Sequence, residues 1–312
     1  MTKMRIRNSC VEQKSYTRTD LASEAIESAK KDSDNIKTVS RMCGDVQICE
    51  ITIESEEQSR CIGKPIGKYI TVSFGNPSLL SEKQFKDLSE TIANELDDII
   101  SDEMAAMGIL ICGLGNRGII SDAIGPICAD NVIVTNHLSA EEKRLCNMEG
   151  LSVASVSPGV VGQTGIETLT QVRAVASSEK FGCVIAVDAL AAMDVCRLGS
   201  TVQISNTGIS PGSGIGNKRD GITEKNVGIP VYAIGVPTVV DSGTLVLNTL
   251  EKAGISDPPP ALEAVLENSR SFFVTPKETD ILINELARLI YTSINIMLIK
   301  KSHRFRQSGI QS

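Results

Sequence analysis

The 312-residue chain contains no tryptophan, and its aromatic residues amount to 3%, so any core must be built from aliphatic side chains. Histidine occurs twice, at His137 and His303, which leaves no His/Cys set for a zinc site. The nine cysteines are scattered singly with no Cys-x-x-Cys pair, and their number is odd. That pattern argues against a disulfide scaffold and for a reducing cytoplasm. Residues 1–20 lack the apolar run of a secretory signal. The most apolar late stretch, 281–299, is broken by Asn284, Glu285, Arg288 and Asn295, which reads as a packed terminal helix and not a membrane span. Basic residues are outnumbered, 31 against 38 acidic, for a net charge of −7. Such a balance is a poor match for a protein that itself grips nucleic acid.

What is present is an aliphatic α/β pattern. Hydrophobic residues make up 41% of the chain, enough for one large α/β domain or two smaller ones. Residues 109–126, ILICGLGNRGIISDAIGP, join a short apolar run to two glycines, Gly113 and Gly115, and then to Asp122. This places a carboxylate just past a buried strand, the edge where open α/β sheets bind ligands. Residues 181–192, FGCVIAVDALAA, repeat the arrangement, with Asp188 directly after the apolar run. An unpaired buried carboxylate is costly, so Asp188 is expected beyond the strand end. In a parallel sheet, Asp122 and Asp188 then face one cleft.

In chain order, residues 1–42 read on composition as a frayed N-terminus. Strand-like pieces lie at 46–74, and an amphipathic helix at 81–100 carries capping-box spacing at Ser81 and Gln84. A strand is expected at 131–134 and an exposed helix at 139–147. A Gly-rich loop at 158–165 leads into a helix, with capping-box spacing at Thr164 and Glu167. Strands follow at TVQIS and at 229–236, the latter ended by Pro237, then a helix over 241–252. A linker at 254–260 precedes two C-terminal helices and a basic tail after Lys300. Alternation of strand and helix from 109 to 252 predicts a mostly parallel sheet with helices on both faces, phosphorylase/hydrolase-like, plus a small N-terminal β-containing extension.

Two carboxylates held close together share a proton, leaving one base and one acid. Such a pair can activate water and protonate a leaving amine. Equally, each aspartate could cap a helix that follows its strand. Gly113–Gly118 is formally G-x-G-x-x-G, but the acid expected about 20 residues on, at the end of a second strand, is replaced by Thr135 and Asn136. The loops 158–165 and 208–217 could line a cleft with backbone N–H groups, or simply be turns. His137 reads as a structural histidine, and Arg197, Lys218 and Arg219 as solvated.

Several motifs in fixed order resemble the spore germination protease family. They are GLGN…DAIGP, SVSPGVVGQTGIET, VIAVDALAA, TVQISNTGISPGSGIGNKR and GIPVYAIGVPTVVD. RTDLA at 18–22, GKPIGKYITV at 63–72 and FFVTPKETD at 272–280 join them, so the likeness covers about residues 16–300. It implies an endopeptidase that degrades small acid-soluble, DNA-coating spore proteins in the germinating spore core. It also implies a catalytic pair at Asp122 and Asp188, a zymogen whose propeptide (residues 1–20) is removed between Asp20 and Leu21, a protease domain over 21–300, a tail over 301–312 and a homotetramer. No cofactor, direct nucleic-acid contact or membrane contact is implied. The implied fold is similar to that of hydrogenase maturation proteases. Two other readings stand beside it: a metal-dependent maturation-type peptidase using the same carboxylates, and a degenerate binder of spore proteins. Met193-Asp194, Asn206 and Ser121 depart from the family pattern, and Asp194 bears on the pair if it points inward.

Overall fold

The computed structural model describes residues 18–29, 35–212, 220–255, 261–262, 265–266 and 272–308. The chain opens with α1 (Ala22–Ala29), the hairpin β1 (Lys37–Cys43) and β2 (Val46–Ile53), α2 (Glu56–Ile62) and β3 (Gly67–Ser73). Then come α3 (Glu82–Ile99), α4 (Asp102–Ala106), β4 (Ile109–Gly113) and α5 (Ile124–Asn131). Next are α6 (Ala140–Leu145), β5 (Val153–Val156), α7 (Val161–Thr164), α8 (Thr168–Ser178) and β6 (Cys183–Ala192). The chain continues through β7 (Thr201–Ser205), α9 (Glu224–Val227), β8 (Val231–Asp241), α10 (Ser242–Lys252) and β9 (Phe273–Val274) to a helix at Thr279–Ser308.

The sheet runs β1-β2-β3-β7-β8-β6-β4-β5, with β9 beside β8. It is mixed, not mostly parallel. β5, β4, β6 and β8 are parallel, whereas β7, β3, β2 and β1 continue it antiparallel. The turn from Met193 to Ser200 between β6 and β7 is too short for the crossover a parallel return needs, so the chain doubles back. Residues 37–43, expected to be frayed, form the edge strand β1 instead.

Alternate residues of each central strand serve two cores. Ile109, Ile111, Ile185 and Val187 pack under α3, α5 and the C-terminal helix. Leu110, Cys112, Val184 and Ala186 pack under α8 and α9, and β2 and β3 meet α1 and α2 on that same side. Helix α3 begins at the expected capping box: Ser81 Oγ accepts from Gln84 N–H, and the Gln84 side chain returns to the Ser81 N–H. Its Phe85, Leu88, Ile92 and Leu96 are buried, worth roughly 1.5–3 kcal/mol each.

Four local expectations change. Residues 132–134 form no strand, because α5 runs to Asn131 and β5 occupies the place beside β4. Strand β8 passes through Pro237 to Asp241, with a register irregularity at the facing Leu190/Ala191 that tolerates a residue lacking an N–H. Thr164 caps nothing at α8: its hydroxyl accepts from Ile166 N–H, and Glu167 makes no side-chain cap bond. The basic tail is helical to Ser308, and Lys301 is fully buried. Linker residues 256–260 and most of 261–271 lie outside the described residues.

Lys301 Nζ donates to Ile100 O (2.7 Å) and Asp102 Oδ1 (3.0 Å) and lies 2.9 Å from Asp97 Oδ1. Arg304 pairs with both aspartates. The Arg304 bond, with Lys301 helping against burial, pulls Asp102 down to about 2. Burial raises Asp97, but Arg304 and Lys301 override it and hold the carboxyl below its usual value. Both folded values lie below the unfolded one. This contribution to stability is therefore complete above about pH 4 and fades as pH falls through the folded values. Lys301→Ala should destabilise the protein by about 3 kcal/mol in urea titrations, since it empties a fully buried site and leaves Ile100 O without its donor. Asp102→Asn should flatten the loss of stability between about pH 4 and about pH 2.

Candidate active site

Strand β4 ends at Gly113, paired with Val187, while β6 runs five residues further. The chain leaving β4 turns at Gly115, whose φ of +111° and approach to the Asp122 carbonyl leave no room for a Cβ. A 3-10 turn at Ile120–Asp122 follows, and α5 begins only at Ile124. No helix therefore starts within the glycines, as a dinucleotide fingerprint requires. Asn116 N–H donates to Asp122 Oδ2 (2.8 Å) and to its carbonyl oxygen (3.0 Å). Asn116 Oδ1 accepts from Gln163 Nε2 (2.5 Å), which ties this loop to the 158–165 loop. The Asp122 turn contacts both β6 and β8, and Thr238 Oγ1 donates to Ser121 O (2.7 Å).

Asp188 lies inside β6 and is 4% exposed, not beyond the strand end as expected. Its Oδ1 accepts the Ala189 N–H (2.9 Å), so part of the desolvation cost is met locally. By strand alternation it points to the α8/α9 side with Ala186 and Leu190. Asp188 is in register with Gly235 of β8, which is in register with Gln203 of β7. Asp188 and Gln203 thus occupy one row on one face, their Cα atoms about 10 Å apart. Between them a Cβ on Gly235 would strike the Leu190 side chain. Burial, reinforced by the Asp188 charge, pushes the Cys112 thiol up, so it offers no thiolate nucleophile here.

The chain's own N-terminal segment occupies this face, a long-range contact that no local motif announces. Asp20 N–H donates to Ala191 O (2.9 Å), and Ala191 N–H donates to Asp20 Oδ2 (2.9 Å). Gln203 brackets Leu21, with Nε2 on Asp20 O (3.1 Å) and Oε1 accepting Ala22 N–H (2.7 Å). Leu21 is fully buried against Leu190, Ala192 and Val240. Lys64 Nζ donates to the Thr19 and Asp20 carbonyls (3.1 and 3.0 Å). Burial lowers the Lys64 ammonium, with Asp20 and Glu24 opposing the shift. A cavity of about 160 Å³ adjoins the segment, lined by Asp20, Lys64, Tyr69, Leu190, Gln203 and Gly235 among others.

Glu24, also fully buried, anchors the segment. Its carboxylate accepts Met193 N–H (2.7 Å), Asp194 N–H (2.9 Å) and the Thr19 hydroxyl, and faces Arg197 at 3.4 Å. Arg197 also binds Glu27, so it is not the solvated side chain expected. Asp194 does not point toward Asp188: it pairs with Lys252 (2.7 Å) and accepts Cys196 N–H. Asn206 Oδ1 accepts Lys68 N–H (2.8 Å), extending the β3–β7 pairing. His137 is exposed, near the N-terminal end of β5, at the opposite edge of the sheet. Lys218 and Arg219, with residues 213–217 of the second loop, lie outside the described residues. Cys43, Cys49, Cys112, Cys128, Cys146, Cys183 and Cys196 are free thiols.

The family model described as germination protease matches residues 10–252. The chain belongs to the germination protease family. It is 40% identical over 310 residues to the germination protease of Caldanaerobacter subterraneus subsp. tengcongensis, covering 90% of this chain and 94% of the relative. Identity to the Clostridium acetobutylicum germination protease is 34% over 309 residues, again 90% and 94%. For that of Bacillus cytotoxicus it is 38% over 244 residues, 75% of this chain and 66% of the relative. Among solved structures, a NiFe hydrogenase maturation protease from Thermococcus kodakarensis aligns with a TM-score of 0.34 at 17% identity, covering 63% of this chain and 97% of that one.

Burial raises the Glu24 carboxyl against the lowering effect of its hydrogen bonds, Thr19 foremost. The docked carboxyl therefore binds a proton more readily than a free one, and docking strengthens as pH falls from neutral through the raised value. Trypsin should cut after Arg18 more slowly at about pH 6 than at about pH 8, relative to a free peptide of the same sequence. Glu24→Ala, which removes charge-assisted bonds worth about 1.5–3 kcal/mol each, should speed that cut at least about tenfold.

Proposed function

We propose that this chain is an endopeptidase that starts the breakdown of small acid-soluble, DNA-coating spore proteins during germination, with water activated by Asp122 and Asp188. In this reading one carboxylate, ionised, takes a proton from water as the oxygen attacks the peptide carbonyl. The other, neutral, gives its proton to the departing amine. Close approach of two acids raises one pKa and so keeps both forms present together. Residues 1–20 are the propeptide of a zymogen, cut between Asp20 and Leu21, and 21–300 the protease domain of a homotetramer working in the spore core.

One observation carries the reading. Gln203, in the same row and on the same sheet face as Asp188, brackets Leu21, holding the carbonyl of the Asp20–Leu21 peptide and the N–H of Ala22. A peptide held by fixed hydrogen bonds on the same sheet face as a buried carboxylate is the arrangement a hydrolytic site needs. Family membership, through a match spanning both aspartates, supports the same conclusion. Asp194 and Asn206, the departures that could have argued for a degenerate binder, are occupied in structural bonds.

Asp122→Asn and Asp188→Asn should each lower cleavage of a purified small acid-soluble spore protein at least about a thousandfold, with thermal unfolding close to that of the parent. Undiminished turnover by either folded variant would falsify the aspartate mechanism. Exhaustive chelation should leave the rate unchanged. A rate abolished by chelation and restored by a divalent ion would favour the metal-dependent reading.

A further inference from the structure

Two side chains converge on one carbonyl oxygen. Lys64 Nζ lies 3.0 Å and Gln203 Nε2 3.1 Å from Asp20 O. The amide orientation is not arbitrary. Gln203 Oε1 receives the Ala22 N–H at 2.7 Å, so the nitrogen must face the Asp20 carbonyl. Lys64 comes from the loop between α2 and β3 and Gln203 from β7, the strand paired with β3, and both line the neighbouring cavity. The segment has anchors besides these two donors. Buried Leu21, the Glu24 bonds to Met193 and Asp194, and the Asp20–Ala191 pair already fix it on both sides. The Asp20 side chain is engaged with Ala191 N–H, and the Lys64 hydrogen bonds go to the Thr19 and Asp20 carbonyls.

We propose that Lys64 and Gln203 are catalytic residues that form the oxyanion-binding pair of this peptidase. The proposal rests on the reading that the Asp20–Leu21 bond is cut. As water adds to the Asp20 carbonyl carbon and gives one proton to the ionised aspartate, the C=O π pair moves onto oxygen, where Nζ–H and Nε2–H receive it. Collapse of the tetrahedral adduct re-forms the carbonyl and breaks the C–N bond. The Leu21 nitrogen leaves with the proton of the neutral aspartate, giving an amine on Leu21 and an α-carboxyl on Asp20 that ionises in solvent. Fixed donors aimed at the oxygen where charge develops are worth most in a partly dehydrated site such as this one. A spore protein bound in the same place would present its own carbonyl to the same two groups.

The test uses the full chain and follows by mass spectrometry the first-order rate at which Leu21 becomes the new amino terminus. Gln203→Glu keeps the side chain's shape and the acceptor for Ala22 N–H but replaces the donor with an acceptor. Lys64→Met removes the other donor from a partly exposed position. Each should slow the cut by about 100- to 1000-fold. Hydrogen-exchange protection of the Asp20, Met193 and Asp194 amides, which report docking without involving either donor, should stay within about twofold of the parent. An unchanged rate in either variant overturns the proposal. So does a slowed rate accompanied by loss of that protection, which would make the pair mere anchors. A parent chain that never cuts at Asp20–Leu21 overturns this proposal and the propeptide reading together. Cutting that persists in Asp188→Asn but collapses in Gln203→Glu supports the oxyanion pair and ends the aspartate mechanism; the reverse pattern ends the oxyanion pair alone.

Discussion

The site depends on a mismatch in strand length. β4 stops opposite Val187, and β6 continues through Ala192 with β8 on one side and no strand on the other. Backbone groups left without a ladder partner inside a protein must be satisfied by something else. The chain leaving β4 supplies one answer, Leu114 N–H to Val187 O. The Asp188 carboxylate takes the Ala189 N–H, and the N-terminal segment adds Asp20 at Ala191 and, just past the strand, Glu24 at Met193 and Asp194. The overhang is therefore both a structural debt and a template. The segment that lies there is held by one main-chain bond, Asp20 N–H to Ala191 O, and by its own Asp20 and Glu24 carboxylates on β6 and turn N–H groups.

Much of the frame was legible in the sequence because it is local. The spacing of Phe85, Leu88, Ile92 and Leu96 and the Ser81/Gln84 box specify α3 from within eighteen residues. The 109–113 strand, the glycine exit and the Asp122 loop are also short-range features. Asp188 was misplaced for a physical reason. The cost of burying a carboxylate argued for a strand end, whereas the neighbouring Ala189 N–H and the open flank of β6 let it sit inside the strand. Pro237 misled in the same way, since the irregularity that accommodates it belongs to the partner strand. Lys64, Gln203 and Glu24 gave no signal at all. Gln203 and Asp20 are 183 positions apart, and nothing in an isolated Gln-Ile-Ser announces a peptide clamp.

The far side of the molecule makes a complementary point about charge. Residues after Lys300 look by composition like a solvated tail, yet Lys301 is buried between Asp97 and Asp102, and Arg304 closes the cluster. These bonds fasten the last turns of the C-terminal helix to the end of α3 and the start of α4, immediately before β4. The strand that carries the Asp122 loop is thus braced at its entry by ion pairs and at its exit by glycine.

The asymmetry of the docked segment also bears on how such an enzyme would begin to work. Hydrolysis after Asp20 would release only the stretch on the amino side. Leu21, Ala22 and Glu24 would remain covalently part of the molecule, still seated in the leaving-group half of the groove. The first product is then also a tethered competitor, present at a local concentration no diffusing polypeptide can match. Turnover on another chain would wait for that fresh terminus to let go, so maturation would have two steps, a chemical one and a physical one.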